Sequence, residues 1–264
     1  MKITRKERAQ KRLTKSHLAE AIRQVQESGY VILESVLSDD WVARMQSAFD
    51  AEGRRCQPHK DGDQTRGGCS APLRVPFLDP LAVENPWGLQ IIESMMGEDI
   101  WTIMPYHTNT SWPGAGTQHI HRDTQHLFPG YPVALPPTLM ILHIPLIDFT
   151  EENGSTELWP GTHLVTDKTP EDNEPEQLAK RAARMPSVRT NMPAGSVLVR
   201  DMRVWHRGMP NESNDIRTML SIVYFRQLHR YPGHVTHLEP MTQAAKAMLS
   251  ERAQRLYRYN PVEA

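Results

Sequence analysis

Only two cysteines, Cys56 and Cys69, occur among the 264 residues, with no Cys-x-x-Cys pair. That scarcity excludes a disulfide framework and a thiolate zinc site, and it suggests a reducing, cytoplasmic home. Net charge is equally sparse. Thirty Lys and Arg against 31 Asp and Glu leave a formal charge of -1, so neither nucleic acid nor an anionic membrane is expected as a partner. No run approaches the roughly 18 apolar residues of a membrane span. The basic opening "MKITRKERAQKRLTKS" lacks the apolar stretch of a secretory signal. Repeats and low-complexity tracts are absent too. What remains is an ordinary globular composition, 39% hydrophobic and 23% charged, in a chain long enough to bury a proper core.

"SHLAEAIRQVQ" (16–26) spaces Leu18, Ile22 and Val25 at helical intervals, with Ser16 as the candidate cap. A short strand, "GYVILESVL", precedes a second helix, "SDDWVARMQSAFDAEGRR", in which Trp41, Met45 and Phe49 recur every four residues. Residues 53–75, rich in Gly and polar side chains, read as loop. From about Ile100 the texture changes to short β-branched and aromatic segments separated by Pro and Gly turns. That pattern predicts an antiparallel sandwich or jelly roll rather than alternating βα units. Residues 166–187 interrupt it as a solvated excursion with room for one helix, or as a substrate lid. The stretch "MTQAAKAMLSERAQRLYRY" is expected to form a helix over 240–258 packed on the outside.

The segment "TQHIHRDTQHLFPG" (117–130) concentrates His119, His121, Asp123 and His126. On a strand, residues two apart share a face, so His119, His121 and Asp123 would point one way and Ile120 and Arg122 the other. A histidine and a carboxylate so placed, joined by a distant histidine, form a two-His-one-carboxylate metal set with three positions left open. The pair alone is unspecific. "QPHKDGD" offers His59 and Asp61 as well, although Pro58 and Gly62 mark that stretch as loop. His119 with His121 could instead open a cupin metal set, but Gln125 stands where a glutamate should follow. His126 reads as a surface histidine. The far segment "DMRVWHRGMPNESNDIRTMLSIVYFR" supplies His206 at the end of one strand and Arg217 at the start of the next. If the two strands form a hairpin, Arg217 enters the same cavity. A buried guanidinium there needs an anion, and a dicarboxylate held bidentately meets that need.

In this order "SGYVILESVLSDDWVARM", "PGAGTQHIHRDTQ", "EENGSTELWPGTHLV" and "VWHRGMPNESNDIR" resemble the phytanoyl-CoA dioxygenase family of iron(II)- and 2-oxoglutarate-dependent oxygenases. The resemblance runs through nearly the whole chain. It implies one domain over 1–264. Its mainly β, double-stranded β-helix (jelly-roll, cupin-like) core would span 100–230, supported by 1–52 and by flanking α-helices.

On the family's pattern His121, Asp123 and His206 are the Fe(II) ligands and Arg217 pairs with the distal carboxylate of 2-oxoglutarate. Gln118 matches a cosubstrate contact, although on a strand it would face away from His121 and need a twist or bulge. Thr156 matches a second contact, or stabilises the turn after Asn153-Gly154. His163 looks like a structural corner. Near the distal ligand lie Arg200, Asp201 and Trp205, the last expected to pack away from the site. Arg66 is a loop candidate for an acidic substrate group. Many family members carry a lysine before the Pro-Gly ahead of the H-x-D, but here the chain reads "NTSWPG", so no contact is carried over from it. A retained Asp123 argues against halogenation.

The implied activity is oxidation, by default hydroxylation, of an unactivated C–H bond in a small metabolite or natural-product intermediate. It consumes O2 and 2-oxoglutarate and releases succinate and CO2. The implied partner is a small-molecule substrate only, with the chain a monomer or homodimer. The alternatives are a non-catalytic jelly-roll binding module and a cupin-type metalloenzyme that does not use 2-oxoglutarate.

Overall fold

The computed structural model of the protein describes residues 1–52, 59–61, 64–166, 175–229 and 238–263, with the backbone alone for 59–61 and 64–65. Two antiparallel sheets carry the fold. In the larger, β1 (Tyr30–Leu33), β9 (Val197–Asp201), β6 (Leu139–Pro145), β11 (Arg217–Arg226), β5 (His107–Ser111), β3 (Gln64–Gly67) and β2 (His59–Asp61) pair in that order. Here β4 (Ile100–Trp101) also joins β11. In the smaller sheet β10 (His206–Arg207), β7 (Glu157–Leu158) and β8 (Val188–Arg189) pair. The chain passes from β6 to β7 and β8, back to β9, out to β10 and back to β11. Strands thus alternate between the sheets, as the expected jelly roll requires.

Side chains on the large sheet obey the period of two. Met140, Leu142 and Ile144 of β6, with Val197, Val199, Leu220, Ile222 and Tyr224, join the helices in the main core. Those helices include α2 (Lys15–Ser28), α3 (Asp39–Ala51) and α5 (Pro86–Met96). The alternate residues Leu139 and Ile141, and Leu198 and Met219, belong to separate inner clusters. Every residue of β6 is therefore buried, since both faces are covered. On the small sheet, α6 (Pro175–Ala182) packs Leu178 and Ala182 against Trp159, Trp205 and Ile120.

Several boundaries differ from the sequence reading. Thr14, not Ser16, caps α2 by accepting from the His17 N–H, whereas Ser38 caps α3 as its position suggested. Residues 53–75 are not all loop, because β2 and β3 form a hairpin there. The Gly and polar residues of "HKDGDQTRGG" show no apolar alternation that would announce a strand. Helices α4 (Pro80–Val83) and α5 were not anticipated, although Asp79-Pro80 and Asn85-Pro86 are each a cap followed by Pro at the first helical turn. The C-terminal helix is two, α7 (Gln243–Ala247) and α8 (Glu251–Leu256), because Ser250 caps a new start by accepting from the Ala253 N–H. Both insert Ala245, Ala253 and Leu256 into the main core instead of lying outside it. Cys69 is disulfide-bonded. No described helix is long and apolar enough to cross a membrane.

A turn at 150–154 sets the rim of the inter-sheet space. The Thr150 N–H donates to Asn153 Oδ1 at 2.9 Å, and Asn153 Nδ2 donates to the Asp148 carbonyl at 2.7 Å. Gly154 has φ +78°, and a Cβ there would lie 2.5 Å from the Met209 carbonyl oxygen. Gly154→Ala meets both a left-handed backbone and a rigid neighbour, so it should lower stability by about 3 kcal/mol or more. Denaturant unfolding checks this, and an unchanged midpoint would contradict it.

Candidate active site

The two sheets enclose a cavity of about 570 Å³ lined by Gln118, His121, Asp123, Thr156, His206 and Arg217 among others. His121, Asp123 and His206 meet at its wall, with one donor atom from each lying within 4.8 Å of the others. Asp123 Oδ1 is 3.8 Å from His121 Nε2 and 3.5 Å from His206 Nε2. The convergence does not arise as the alternation argument supposed, because residues 117–126 form no strand. His121 instead makes one isolated bridge to His206, with N–H to O distances of 3.0 and 2.9 Å in the two directions. The Asp123 N–H donates to the Met202 carbonyl at 3.0 Å. Beside His121, Ile120 is 4% exposed in the cluster around Trp205 and pins the other side of the loop.

Backbone carbonyls fix both imidazoles. His121 Nδ1 lies 3.0 Å from the His119 carbonyl and His206 Nδ1 3.0 Å from the Val204 carbonyl. A carbonyl only accepts, so each Nδ1 carries the proton and each Nε2 offers its lone pair to the cavity. Burial, with Arg200 adding, holds His206 down to about 3; it is a neutral ligand donor across the neutral range. Burial pushes the Asp123 carboxyl up, but the adjacent Arg200 guanidinium outweighs it and holds it well below the usual carboxylate range. Two neutral nitrogens and one ionised oxygen suit a borderline divalent ion such as Fe(II).

Across the cavity stands Arg217, 3% exposed. It pairs with Ser111 of β5, which in turn pairs with Arg66 of β3, so both guanidinium-bearing residues flank one position. Arg217 Nε and Nη1 are buried without hydrogen-bond partners, and the guanidinium carbon lies 4.5 Å from the Phe149 ring centroid. Burial, and then Arg66, pushes Arg217 down to about 9, which leaves it charged at neutral pH. The expected hairpin between the His206 and Arg217 strands is absent. β10 pairs with β7 whereas β11 pairs with β5 and β6, so the two residues face each other from opposite sheets. Buried Asn211 ties the crossing loop to β5, its Nδ2 donating to the Ser111 carbonyl at 3.0 Å.

The remaining candidates fall on both sides of expectation. Gln118 lines the cavity from a loop, so no strand twist is needed. Its Oε1 accepts from the Gly208 N–H at 2.9 Å, which leaves the amide nitrogen for a ligand. Thr156 also lines the cavity. The turn before it is held by Thr150 and Asn153, and the Thr156 hydroxyl has no hydrogen bond among the described residues. Arg66 is on strand β3 rather than a loop, donating to the Gly116 and Met209 carbonyls at 2.7 and 2.5 Å. His119 is exposed and outside the metal-capable group, so the cupin set is not assembled. His126 is 6% exposed, not on the surface, and lies 3.3 Å from Arg203 Nη1. His163 is buried beside Gly29 and Trp205 is fully buried, both structural as expected. His59 and Asp61 occupy β2, but their side chains lie outside the described residues. Arg200 was noted only as a neighbour, yet its Nη2 donates to Asp123 Oδ2 at 2.6 Å. His143 was missed, although it is the single ionisable residue in the β6 run "LMILHIP".

His143 and His126 make stability acid-sensitive. Burial first, and then Arg200, holds His143 at about 3; burial and then Arg203 hold His126 at about 4. An unfolded histidine titrates near 6.5. Below that value the unfolded chain takes up protons that the folded one refuses, so stability present above pH 6.5 is lost as pH falls towards the folded values. Two such groups should cost roughly 4 kcal/mol between pH 7.5 and 5. Urea midpoints that match at the two pH values would contradict this.

Two facing sheets that bring a pair of imidazoles, one carboxylate and a buried guanidinium around one cavity define a class: the metal-dependent jelly-roll oxygenases. The family profile described as phytanoyl-CoA dioxygenase (PhyH) matches residues 25–219. Curated relatives include dioxygenase trt7 of Aspergillus terreus, 26% identical over 92% of this chain and 87% of that one. The multifunctional dioxygenase prhA of Penicillium brasilianum is 27% identical over 88% and 79%. Among solved structures, the non-heme alpha-ketoglutarate-dependent carbocyclase SnoK of nogalamycin biosynthesis superposes with a TM-score of 0.64 at 21% identity, covering 96% of this chain and 94% of that one. The fold is thus shared with that enzyme. The chain belongs to the phytanoyl-CoA dioxygenase family of Fe(II)/2-oxoglutarate-dependent oxygenases.

Proposed function

We propose that the protein oxidises an unactivated C–H bond of a small natural-product-like molecule, most simply by hydroxylation, with 2-oxoglutarate and O2 as cosubstrates. On this reading His121 Nε2, His206 Nε2 and Asp123 Oδ1 hold Fe(II), which when bound supplies the redox chemistry. The observation that carries the reading is Arg217. A guanidinium so buried, with two nitrogens unpartnered in the same cavity as the triad, is offset by an anion that also reaches the metal end. A keto-diacid has that shape: its distal carboxylate pairs with Arg217 while Gln118 and Thr156 steady the end near the metal. The β6 and β9 side chains Ile141 and Leu198 and the methionines Met202 and Met219 keep the floor apolar, which excludes water from the reacting bond.

The natural-product assignment draws on the likeness to SnoK, an enzyme of nogalamycin biosynthesis, and it concerns substrate class only. The test is succinate release with Fe(II), ascorbate and a panel of small polyketide and terpenoid scaffolds, with products read by mass spectrometry. A gain of one oxygen supports hydroxylation. A loss of two hydrogens or an isomeric product assigns a different outcome to the same site. Anaerobic addition of Fe(II) and 2-oxoglutarate should give a weak visible charge-transfer band, and its absence would favour a non-catalytic binding module.

A further inference from the structure

Arg200 sits on β9 between Tyr30 of β1 and Ile141 of β6, 3% exposed, behind the metal-capable triad. It divides the two oxygens of Asp123. Oδ2 takes the Arg200 Nη2 proton at 2.6 Å, while Oδ1 faces both imidazole Nε2 atoms. The neighbouring acid, Asp201, is already held by Arg203 through three contacts of 2.6, 3.0 and 3.2 Å. Asp123 is therefore the carboxylate that Arg200 serves. Because residues 117–126 form no strand, no pleat orients Asp123, and a side chain must do so. Arg200 Nη1 also approaches His206 Nδ1 at 3.2 Å, but that nitrogen already donates to Val204, so the contact is proximity rather than a bond.

This placement is unfavourable for affinity: a fixed cation beside a dication site opposes metal entry. Its benefit is geometric. A free carboxylate can chelate with both oxygens and fill a position that the cosubstrates need. We propose that Arg200 is a positioning residue that withholds Asp123 Oδ2, confining the carboxylate to one-oxygen donation and keeping three metal positions open. This rests on the reading of the triad as a metal site.

The test loads metal-free protein with Mn(II) alone and counts exchangeable waters by water-proton relaxation, with free Mn(II) followed by electron paramagnetic resonance. The unmodified protein should hold three waters on the ion. Arg200→Met should hold two and bind Mn(II) no more weakly, tightening by up to about tenfold as the like charge leaves. Arg200→Lys, which keeps a charged donor, should restore the third water. Three waters in Arg200→Met would overturn the proposal whatever its affinity. Two waters in the unmodified protein would do so without any variant having to fold. Mn(II) binding that His206→Ala leaves untouched fails the metal-site reading instead, so the two failures are told apart.

Discussion

His206→Ala should keep its fold yet retain under about a tenth of the wild-type iron after anaerobic reconstitution and desalting, with succinate release down by about a thousandfold. Removing an outer acceptor that orients a ligating imidazole and raises its basicity lowers metal affinity by about 10- to 100-fold, and removing the imidazole itself does more. His206 is the cleaner of the two decisive substitutions. Asp123→Ala should also abolish iron retention, but it strips buried Arg200 of its counter-charge and should cost about 3–5 kcal/mol of stability. Its folding has to be checked by circular dichroism before its metal content is read. His119→Ala and His59→Ala are the controls, and both should load iron normally. Full iron content in His206→Ala and Asp123→Ala together would remove the ligand assignment, and loss of iron in His59→Ala would move it to the other H-x-D.

The sequence disclosed composition-level and motif-level facts more readily than geometry. The jelly roll was legible because its strands are short, β-branched and separated by Pro and Gly turns, and the chemistry-bearing residues were legible from their type and order. How they meet was not. The residues expected to meet do lie together, but not along strands. His121 and Asp123 converge from a loop held by a single backbone bridge, and His206 and Arg217 approach from opposite sheets rather than along a hairpin. Both depend on pairings between residues far apart in the chain, Leu158 with His206 and His121 with His206 among them, which local periodicity does not encode. Arg200 escaped for the same reason. Its value lies in reaching Asp123, 77 residues earlier, and nothing beside it in "VLVRDMRVWH" announces that. His143 carried a local signal that went unread: a histidine amid six apolar residues on a doubly covered strand has been placed on the inner face against packing preference.

Arg217→Met should separate cosubstrate binding from everything else the site does. In the free protein Arg217 Nε and Nη1 lack partners, so the charge is held at the expense of stability; a methionine of similar length removes that cost. The cosubstrate-free variant should therefore be as stable as wild type or more so by about 1 kcal/mol, opposite in sign to most large buried substitutions. With 2-oxoglutarate present the order reverses. The wild-type guanidinium gains a desolvated, bidentate carboxylate partner, and losing one member of such a pair costs about 3–5 kcal/mol, which is roughly a 200- to 5,000-fold rise in the 2-oxoglutarate dissociation constant. Iron content should not change, since Arg217 belongs to the opposite sheet from His206. Arg217→Lys should recover only part of the affinity, because an ammonium cannot present the two parallel donors. Thermal unfolding with and without excess 2-oxoglutarate reads the stability and affinity changes together, with iron assayed separately, because a ligand that binds only the folded state adds stability as the logarithm of one plus its concentration over its dissociation constant. A 2-oxoglutarate-induced rise that survives in Arg217→Met would place the dicarboxylate elsewhere, with Arg66 the next guanidinium to test. A rise that vanishes while iron and baseline stability hold would tie the anion to the inner face of β11.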